Sequence, residues 1–311
     1  MSLRLIHPGV LSLLVDGGRT RWRSLGVPLG GAADRAALAI GNSLVGNPPT
    51  ALALEFTLAG PSFKAIHPAA CAIFGAPFTF TINGKPGPDA GTTFTLEPGD
   101  VLKIGGTASG VRGYLCVAGG FDSAESLGSR SSLEPLAAGE VLDCPPSRCE
   151  PRGLGFAALP HDHSLRVLDG PQREWFDDSF FHRAYEVSPA SNRMGVRLTG
   201  EPLMRTAGEL ASEAVAPGAV QITNDGRPVI LGVDGQTIGG YPKIAHVIRA
   251  DLDRVAHLRP GDRVRFLPVS EADAERLAAE RTQLVRGWLA RLRAADREPQ
   301  RLTETRSRSG S

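Results

Sequence analysis

The sequence is short of the features that mark helical, membrane-spanning or nucleic-acid-binding proteins. Aromatic residues make up 6% of its 311 residues, and there are 4 Cys and 3 Met. No stretch approaches the ~20 apolar residues that a membrane span needs. The net charge is +1, so there is no basic excess to neutralise phosphates, which argues against a nucleic-acid binder. Lys occurs only at 64, 85, 103 and 243, and Arg supplies the rest of the 34 basic residues. The four Cys form no CxxC pair. Cys71 and Cys116 sit in apolar runs and read as buried thiols, whereas Cys144 and Cys149 flank a Pro-rich turn and can pair. The first residues are broken by His7-Pro8-Gly9 and lack a small-residue cleavage site. No targeting segment and no membrane contact are expected, and cysteine usage suits a reduced, cytoplasmic protein.

Common catalytic signatures are missing as well. The chain has no GxxxxGK[ST], no GxGxxG between a strand and a helix, no GxSxG and no HExxH. His161-Asp162-His163 lacks an obvious third ligand, so no metal site is expected. There is no Met-Lys-Met triplet, so biotin cannot be carried on a standard attachment lysine of this chain.

What the chain has in quantity is Gly (37) and Pro (24). Both interrupt helix interiors and fill turns, which excludes a mostly helical protein and favours a turn-rich, mainly β architecture. The hydrophobic share of 41% argues against disorder, and the length allows two domains.

Along the chain, residues 1–15 alternate enough to be a strand. Asp34 then caps a short helix over 35–45, after the Gly-rich loop 25–34. Short strand candidates follow, among them LALEFTLAG, CAIFGA, FTFTING and RGYLCVAGG. A turn recurs in Leu96-Glu97-Pro98-Gly99-Asp100 and Leu258-Arg259-Pro260-Gly261-Asp262, and more loosely in Leu136–Glu140, each feeding an alternating strand. The expected division is a β-barrel-like domain over 1–150, a linker over 151–164 and a second barrel over 165–269. A short helix near 172–182 and one from Leu252 capped by Asp251 lie within the second barrel. An amphipathic helix over 270–295 follows, with Leu277, Leu284, Trp288 and Leu292 on one face and Ser270 and Asp273 as a capping pair; the tail over 296–311 is expected to be disordered.

Three clusters offer chemistry. The loop holding Gly30 and Gly31 precedes a helix, and its backbone N–H groups either hold an anion or only shape a tight turn. Arg193 and Arg197 lie four apart; on a strand they point the same way and either clamp a carboxylate or form a solvated pair. The segment Asp234–Ile244 packs Gln236, Thr237, Tyr241 and Lys243 around a Gly pair, more than a plain hairpin needs.

The motifs LGVPLGGAAD, Leu54-Glu55, Gly113-Tyr114-Leu115, Leu127–Ser131, Ser191–Gly195, Ser212-Glu213 and Gln236–Lys243 occur in an order that resembles the biotin-dependent carboxyltransferase or allophanate hydrolase subunit 2 family, which includes the C-type subunit of 5-oxoprolinase. The resemblance spans about residues 3–267. One departure is Val15-Asp16-Gly17-Gly18-Arg19, where a Gln-Asp-Leu-Gly-Arg-like segment is usual. The resemblance implies cyclophilin-like β-barrels and partners resembling 5-oxoprolinase subunits B and A. The implied reaction opens the 5-oxoproline lactam to glutamate with ATP, which enters through the complex. Lys243 and Gln236 would polarise the amide oxygen or position a nucleophile, and Tyr241 would close the pocket. Arg193 and Arg197 would bind the substrate carboxylate or a phosphorylated intermediate, with Glu213, Thr237 and the Gly30-Gly31 backbone as further substrate contacts. Two alternatives remain open: a carboxyltransferase that uses biotin from a separate carrier to act on urea or a similar amide, and a regulatory protein that binds and antagonises a kinase inhibitor.

Overall fold

Asp34 ends the Gly-rich loop as a helix cap: its Oδ1 accepts the Ala37 N–H at 2.8 Å, and α1 runs Arg35–Leu44. In this computed structural model the described residues are 3–132, 134–154, 163–206 and 208–307, with side chains described up to 294. Most of the linker over 151–164, His161-Asp162 and the last residues, 308–311, lie outside them.

The first fifteen residues form two strands, Leu3–His7 and Ser12–Val15, that enter different sheets. Gly9 breaks them apart with φ +72, and a Cβ there would sit 2.4 Å from the Ala59 carbonyl. One sheet has the order Val141–Leu142, Leu3–His7, Ser62–Ala65, Val101–Thr107, Phe78–Ile82, Lys85–Pro86. The other has Ser12–Val15, Ala53–Thr57, Arg112–Val117, Ala69–Gly75, Thr93–Leu96. They share a core that includes Leu5, Phe56, Phe63, Ile73, Phe78 and Leu115. Strands Ala69–Gly75 and Arg112–Val117 are buried along their whole length, because α1 covers the second face of their sheet. Gly41 lets α1 approach: a Cβ there would meet Cys116 Sγ at 2.9 Å.

The second half closes into a seven-stranded barrel: Ser164–Asp169, Lys243–Val247, Ala219–Ile222, Pro228–Leu231, Gly195–Thr199, Tyr185–Val187 and Arg263–Pro268. The first and last of these pair in parallel and shut the barrel. Leu165, Val187, Ile230, Ile244 and Phe266 fill it. The mainly β architecture with a terminal helix therefore matches the sequence reading.

The recurring turns share one construction. Gly99, Gly139 and Gly261 have φ of +94, +94 and +90. In each turn a carboxylate three residues on accepts a backbone N–H: Glu97 to Asp100 at 2.8 Å, Ala137 to Glu140 at 2.6 Å, and Arg259 to Asp262 at 2.7 Å. Each launches a strand, as the sequence predicts.

Further readings are settled by the structure. The single helix near 172–182 is a 3-10 turn, Arg173–Trp175, and a short α2, Ser179–His182; between them Asp177 Oδ1 takes the Ser179 N–H at 2.9 Å and restarts the chain. Asp251 precedes α3 (Leu252–Val255) but caps nothing, because its carboxylate binds the Arg166 N–H at 2.9 Å and guanidinium at 2.5 Å. Cys144 and Cys149 form no disulfide: Cys144 is buried in the sheet core, while the Cys149 N–H bonds the Thr95 hydroxyl at the edge. Helix α4 runs Glu271–Ser307, so it continues past 295, and across Pro299, into the segment expected to be disordered. The Ser270–Asp273 capping pair is present, with the Asp273 N–H 3.1 Å from Ser270 Oγ. Trp288 and Leu292 pack toward α1 together with Val285, while Leu284 turns outward and is 49% exposed. No helix among the described residues is long and apolar enough to cross a membrane.

Candidate functional site

The structure divides the residues singled out in the sequence among three places. Arg193 lies where the two halves meet and is 7% exposed. Its Nε and Nη2 form a two-pronged pair with Asp234 at 2.6 and 3.0 Å, Nη1 donates to Glu55 Oε1 at 2.5 Å, and Nη2 also donates to the Gly31 carbonyl at 2.7 Å. Arg193 is thus occupied by the protein's own carboxylates and does not join Arg197 in a clamp. Gly30 and Gly31 belong to this junction. The Gly30 N–H donates to the Val233 carbonyl at 2.9 Å, so it is spent on structure rather than offered to an anion. Gly31 has φ +72, and a Cβ would lie 2.6 Å from Gly18 N.

Glu55 is the hub of the junction, a role that its place in the sequence does not announce. Its carboxylate also accepts from the Ala33 N–H at 3.0 Å and the Tyr114 hydroxyl at 2.7 Å, and Arg112 Nε lies 3.3 Å away. Burial pushes the Glu55 pKa up, but Arg193, Arg112 and these hydrogen bonds outweigh it and hold the carboxyl below its ordinary range. Tyr114 moves the other way, pushed well up by burial and by Glu55. Its hydroxyl also accepts the Asp34 N–H at 2.8 Å, and Asp34 Oδ2 lies 2.9 Å from His257 Nε2. The signals in the sequence are the Leu54-Glu55 motif and an acid inside the apolar strand LALEFTLAG, since a buried charge requires partners.

A second lock holds the segment that departs from the family pattern. Asp16 accepts from Gly18 N–H, Arg130 N–H and the hydroxyls of Ser129 and Ser131, between 2.6 and 2.8 Å. Burial raises its pKa, and these hydrogen bonds more than reverse the effect. Arg19 Nη2 donates to the Ser131 carbonyl at 2.7 Å. The Leu127–Ser131 motif therefore serves to wrap Asp16.

Lys243 forms the second group. It is 5% exposed, and its Nζ lies 2.8 Å from Glu213 Oε1 and 3.2 Å from the Ala214 carbonyl. Gln172 ties the pair together: its Nε2 donates to Glu213 at 3.0 Å and its Oε1 accepts the Lys243 N–H at 2.9 Å. Lys243 holds the Glu213 carboxyl below its ordinary range. Glu213–Ala214 pairs with Ile238–Gly239 in a two-stranded ribbon, and the buried Thr237 extends this pairing, its carbonyl accepting the Val215 N–H at 3.0 Å.

The third group surrounds a cavity of about 170 Å³ on the barrel, lined by Asn192, Arg197, Gln221, Thr223, Gln236 and Tyr241 among others. Arg197 projects outward from strand Gly195–Thr199. Gly239 allows both glutamines to enter, because a Cβ there would sit 2.7 Å from Gln236 Nε2 and 3.0 Å from Gln221 Nε2. Of the residues expected at the site, Arg197, Gln236 and Tyr241 meet here; Lys243, Glu213, Thr237, Arg193, Gly30 and Gly31 do not line it. The walls supply one guanidinium, three side-chain amides and two hydroxyls, a set suited to binding a small amide with an acidic group. Among the described residues, no Asp, Glu, His, Lys or Cys lines the cavity.

Comparison with known proteins adds the following. Residues 25–268 match the family described as carboxyltransferase domain, subdomain A and B. The chain is 34% identical to the C-type subunit of 5-oxoprolinase from Escherichia coli over 288 residues, covering 88% of this chain and 93% of that protein. Among solved structures, the urea amidolyase of K. lactis superposes with a TM-score of 0.83 at 28% identity over 92% of this chain and 20% of its own. A crystal structure of the protein TTHA0988 gives 0.78 at 33% identity, with 86% of this chain matched to 56% of that one, so the chain spans about half its length.

Proposed function

The chain belongs to the carboxyltransferase-domain family of subdomains A and B, and from that premise we propose that it is a subunit of an ATP-dependent 5-oxoprolinase-type amidohydrolase. The observation that carries the reading is the match to 93% of the length of the C-type subunit of a 5-oxoprolinase. The cavity around Arg197 supports it. Its volume of about 170 Å³ suits a small lactam. Arg197 would bind the carboxylate of 5-oxoproline, the amides of Asn192, Gln221 and Gln236 would bond the lactam N–H and carbonyl, and Tyr241 would cover the ring.

The cavity orients and polarises an amide, but its described lining holds no carboxylate, imidazole or amine to move a proton. That lining also offers no phosphate cradle, and Lys243 is committed to Glu213. ATP and the acid–base groups would therefore come from partners resembling 5-oxoprolinase subunits B and A.

The test reconstitutes the chain with its partner subunits and measures glutamate release from 5-oxoproline with ATP. Release that depends on this chain and falls in Arg197→Gln supports the reading. No release with all subunits present, or release that does not depend on this chain, overturns it; undiminished release from Arg197→Gln removes the Arg197 cavity from the site.

The TM-score of 0.83 with the urea amidolyase favours one second reading, a carboxyltransferase supplied by biotin on a separate carrier. The same three side-chain amides fit a ureido ring, and bound carboxybiotin would supply the carboxyl group. Carboxylation of urea with a biotin carrier, in the absence of glutamate release, would select it.

A further inference from the structure

We propose that the chain has a second binding site, for a small organic carboxylate with an apolar body, in the cavity that α4 closes over the junction of the two halves. This cavity has a volume of about 430 Å³, within the ~300–1,000 Å³ range of small-molecule pockets. It shares only Asn192 and Leu231 with the smaller cavity around Arg197. Its apolar walls come from the Gly-rich loop and α1 (Leu29, Ala36), the barrel (Val196, Leu231) and α4 (Ala278, Val285). Helix α4, which also brings Arg281, Thr282 and Arg286, lies outside the residues 25–268 that match the carboxyltransferase family.

Charge identifies the ligand class. Six arginines line the cavity, at 35, 112, 193, 249, 281 and 286, against one carboxylate, Asp253. Arg193 and Arg112 are balanced by Glu55 and Asp234, and Arg281 Nη2 lies 3.1 Å from Asp253 Oδ2. The guanidinium groups of Arg35, Arg249 and Arg286 have no carboxylate within ion-pair distance among the described residues. Burial lowers the Arg35 pKa, Asp253 opposes this, and the nearby Arg249 adds to it, so like charges meet at the mouth. Arg281 Nε is buried without a hydrogen-bond partner. Glu271 and Glu275 line the adjoining hollow and not this cavity, the two sharing Arg249, Ala278, Thr282 and Arg286. Apolar walls beneath three guanidinium groups outside any ion pair fit a carboxylate whose body is hydrocarbon, with the acid held by two-pronged arginine contacts.

The test uses the full-length chain and isothermal titration calorimetry with 4-phenylbutyrate, its neutral amide 4-phenylbutanamide, and inorganic phosphate. The carboxylate should bind, and the amide and phosphate should bind at least tenfold more weakly. Arg249→Gln with Arg286→Gln should weaken carboxylate binding by about tenfold or more. Both side chains are exposed at the mouth, and Arg4→Gln, on an exposed strand position away from the cavity, is the matched control. Ala278→Phe, which adds bulk to the cavity without removing a charge, should also abolish binding. No carboxylate binding at millimolar concentration, equal binding of the amide or of phosphate, or unchanged binding in the double variant and in Ala278→Phe overturns the proposal.

Discussion

Arg193 and Glu55 lie 138 positions apart in the chain, yet Nη1 of one is 2.5 Å from Oε1 of the other inside the junction of the two halves. Both are buried, and each has further charged partners, Asp234 for Arg193 and Arg112 for Glu55. Such a pair contributes little net energy when complete, but breaking it strands a charge in low dielectric. Glu55→Gln keeps the shape and removes the charge. It is expected to destabilise the chain by about 3–5 kcal/mol, read from denaturant unfolding at neutral pH. The sign with pH follows from the lowered Glu55 pKa. Its contribution is present above the ordinary value of 4.5 and is lost as pH falls through the lower folded-state value, so the wild-type advantage over Glu55→Gln should vanish in acid.

Gly31→Ala tests the same junction through the backbone. The φ of +72 disfavours any side chain, and the added Cβ would lie 2.6 to 2.8 Å from Gly18 N, Asp16 O and Gly18 Cα. All three contacts are backbone atoms and cannot rotate away. A loss above about 2 kcal/mol is expected, combining the conformational cost with displacement of the Asp16 lock. Thermal unfolding checks it; a change within error would mean that the loop tolerates movement.

How much of this was legible in the sequence depends on whether the signal is local. Asp34 as a cap, the Pro-Gly-Asp turns and the barrel strands were readable, because each depends on neighbours within a few residues. The clamp of Arg193 and Arg197 was not realised, because the partners of Arg193 are far away in sequence. Position 193 precedes the strand, so spacing on an assumed strand placed both side chains on one face, whereas Asp234 and Glu55 draw Arg193 inward. Lys243 stood out as a rare residue, yet its role depends on Gln172 and Glu213, which arrive from 71 and 30 positions away. Glu55 was visible in the Leu54-Glu55 motif and as an acid in an apolar run, but no partner could be named for it.

The cavity around Arg197 makes a prediction that separates binding from chemistry. In the reconstituted complex Arg197→Gln should raise KM for 5-oxoproline by about 10–100-fold, because a charge-assisted contact to the carboxylate is lost. Gly239→Ala touches no substrate atom but pushes the amides of Gln236 and Gln221 by its Cβ at 2.7 and 3.0 Å. It should lower kcat through misplaced donors, as seen in steady-state kinetics over a range of substrate concentrations. A change confined to stability, with both constants intact, would remove these residues from the site.

Asp253 links α4 to α1 and has the opposite pH signature to Glu55. Its Oδ1 accepts the Arg35 N–H at 3.1 Å and its Oδ2 the Arg281 Nη2 at 3.1 Å. Burial, aided by the nearby Asp34, pushes its pKa up to about 6 against the contribution of Arg281. The folded state therefore binds the proton more tightly than the unfolded chain, whose value is near 3.8. This stabilisation is complete below about pH 4 and is lost as pH rises through 6, a difference of at most about 3 kcal/mol. Relative to Asp253→Asn, which cannot titrate, the wild type should lose stability between pH 4 and 6.5 and run parallel above pH 7. Unfolding midpoints of both proteins across pH 4–8 measure this, and a constant offset over the whole range would show that Asp253 ionises normally. Because Asp253 and Arg281 both line the larger cavity, a carboxylate ligand there should also raise the Asp253 pKa further, and its affinity should fall as pH rises through 6.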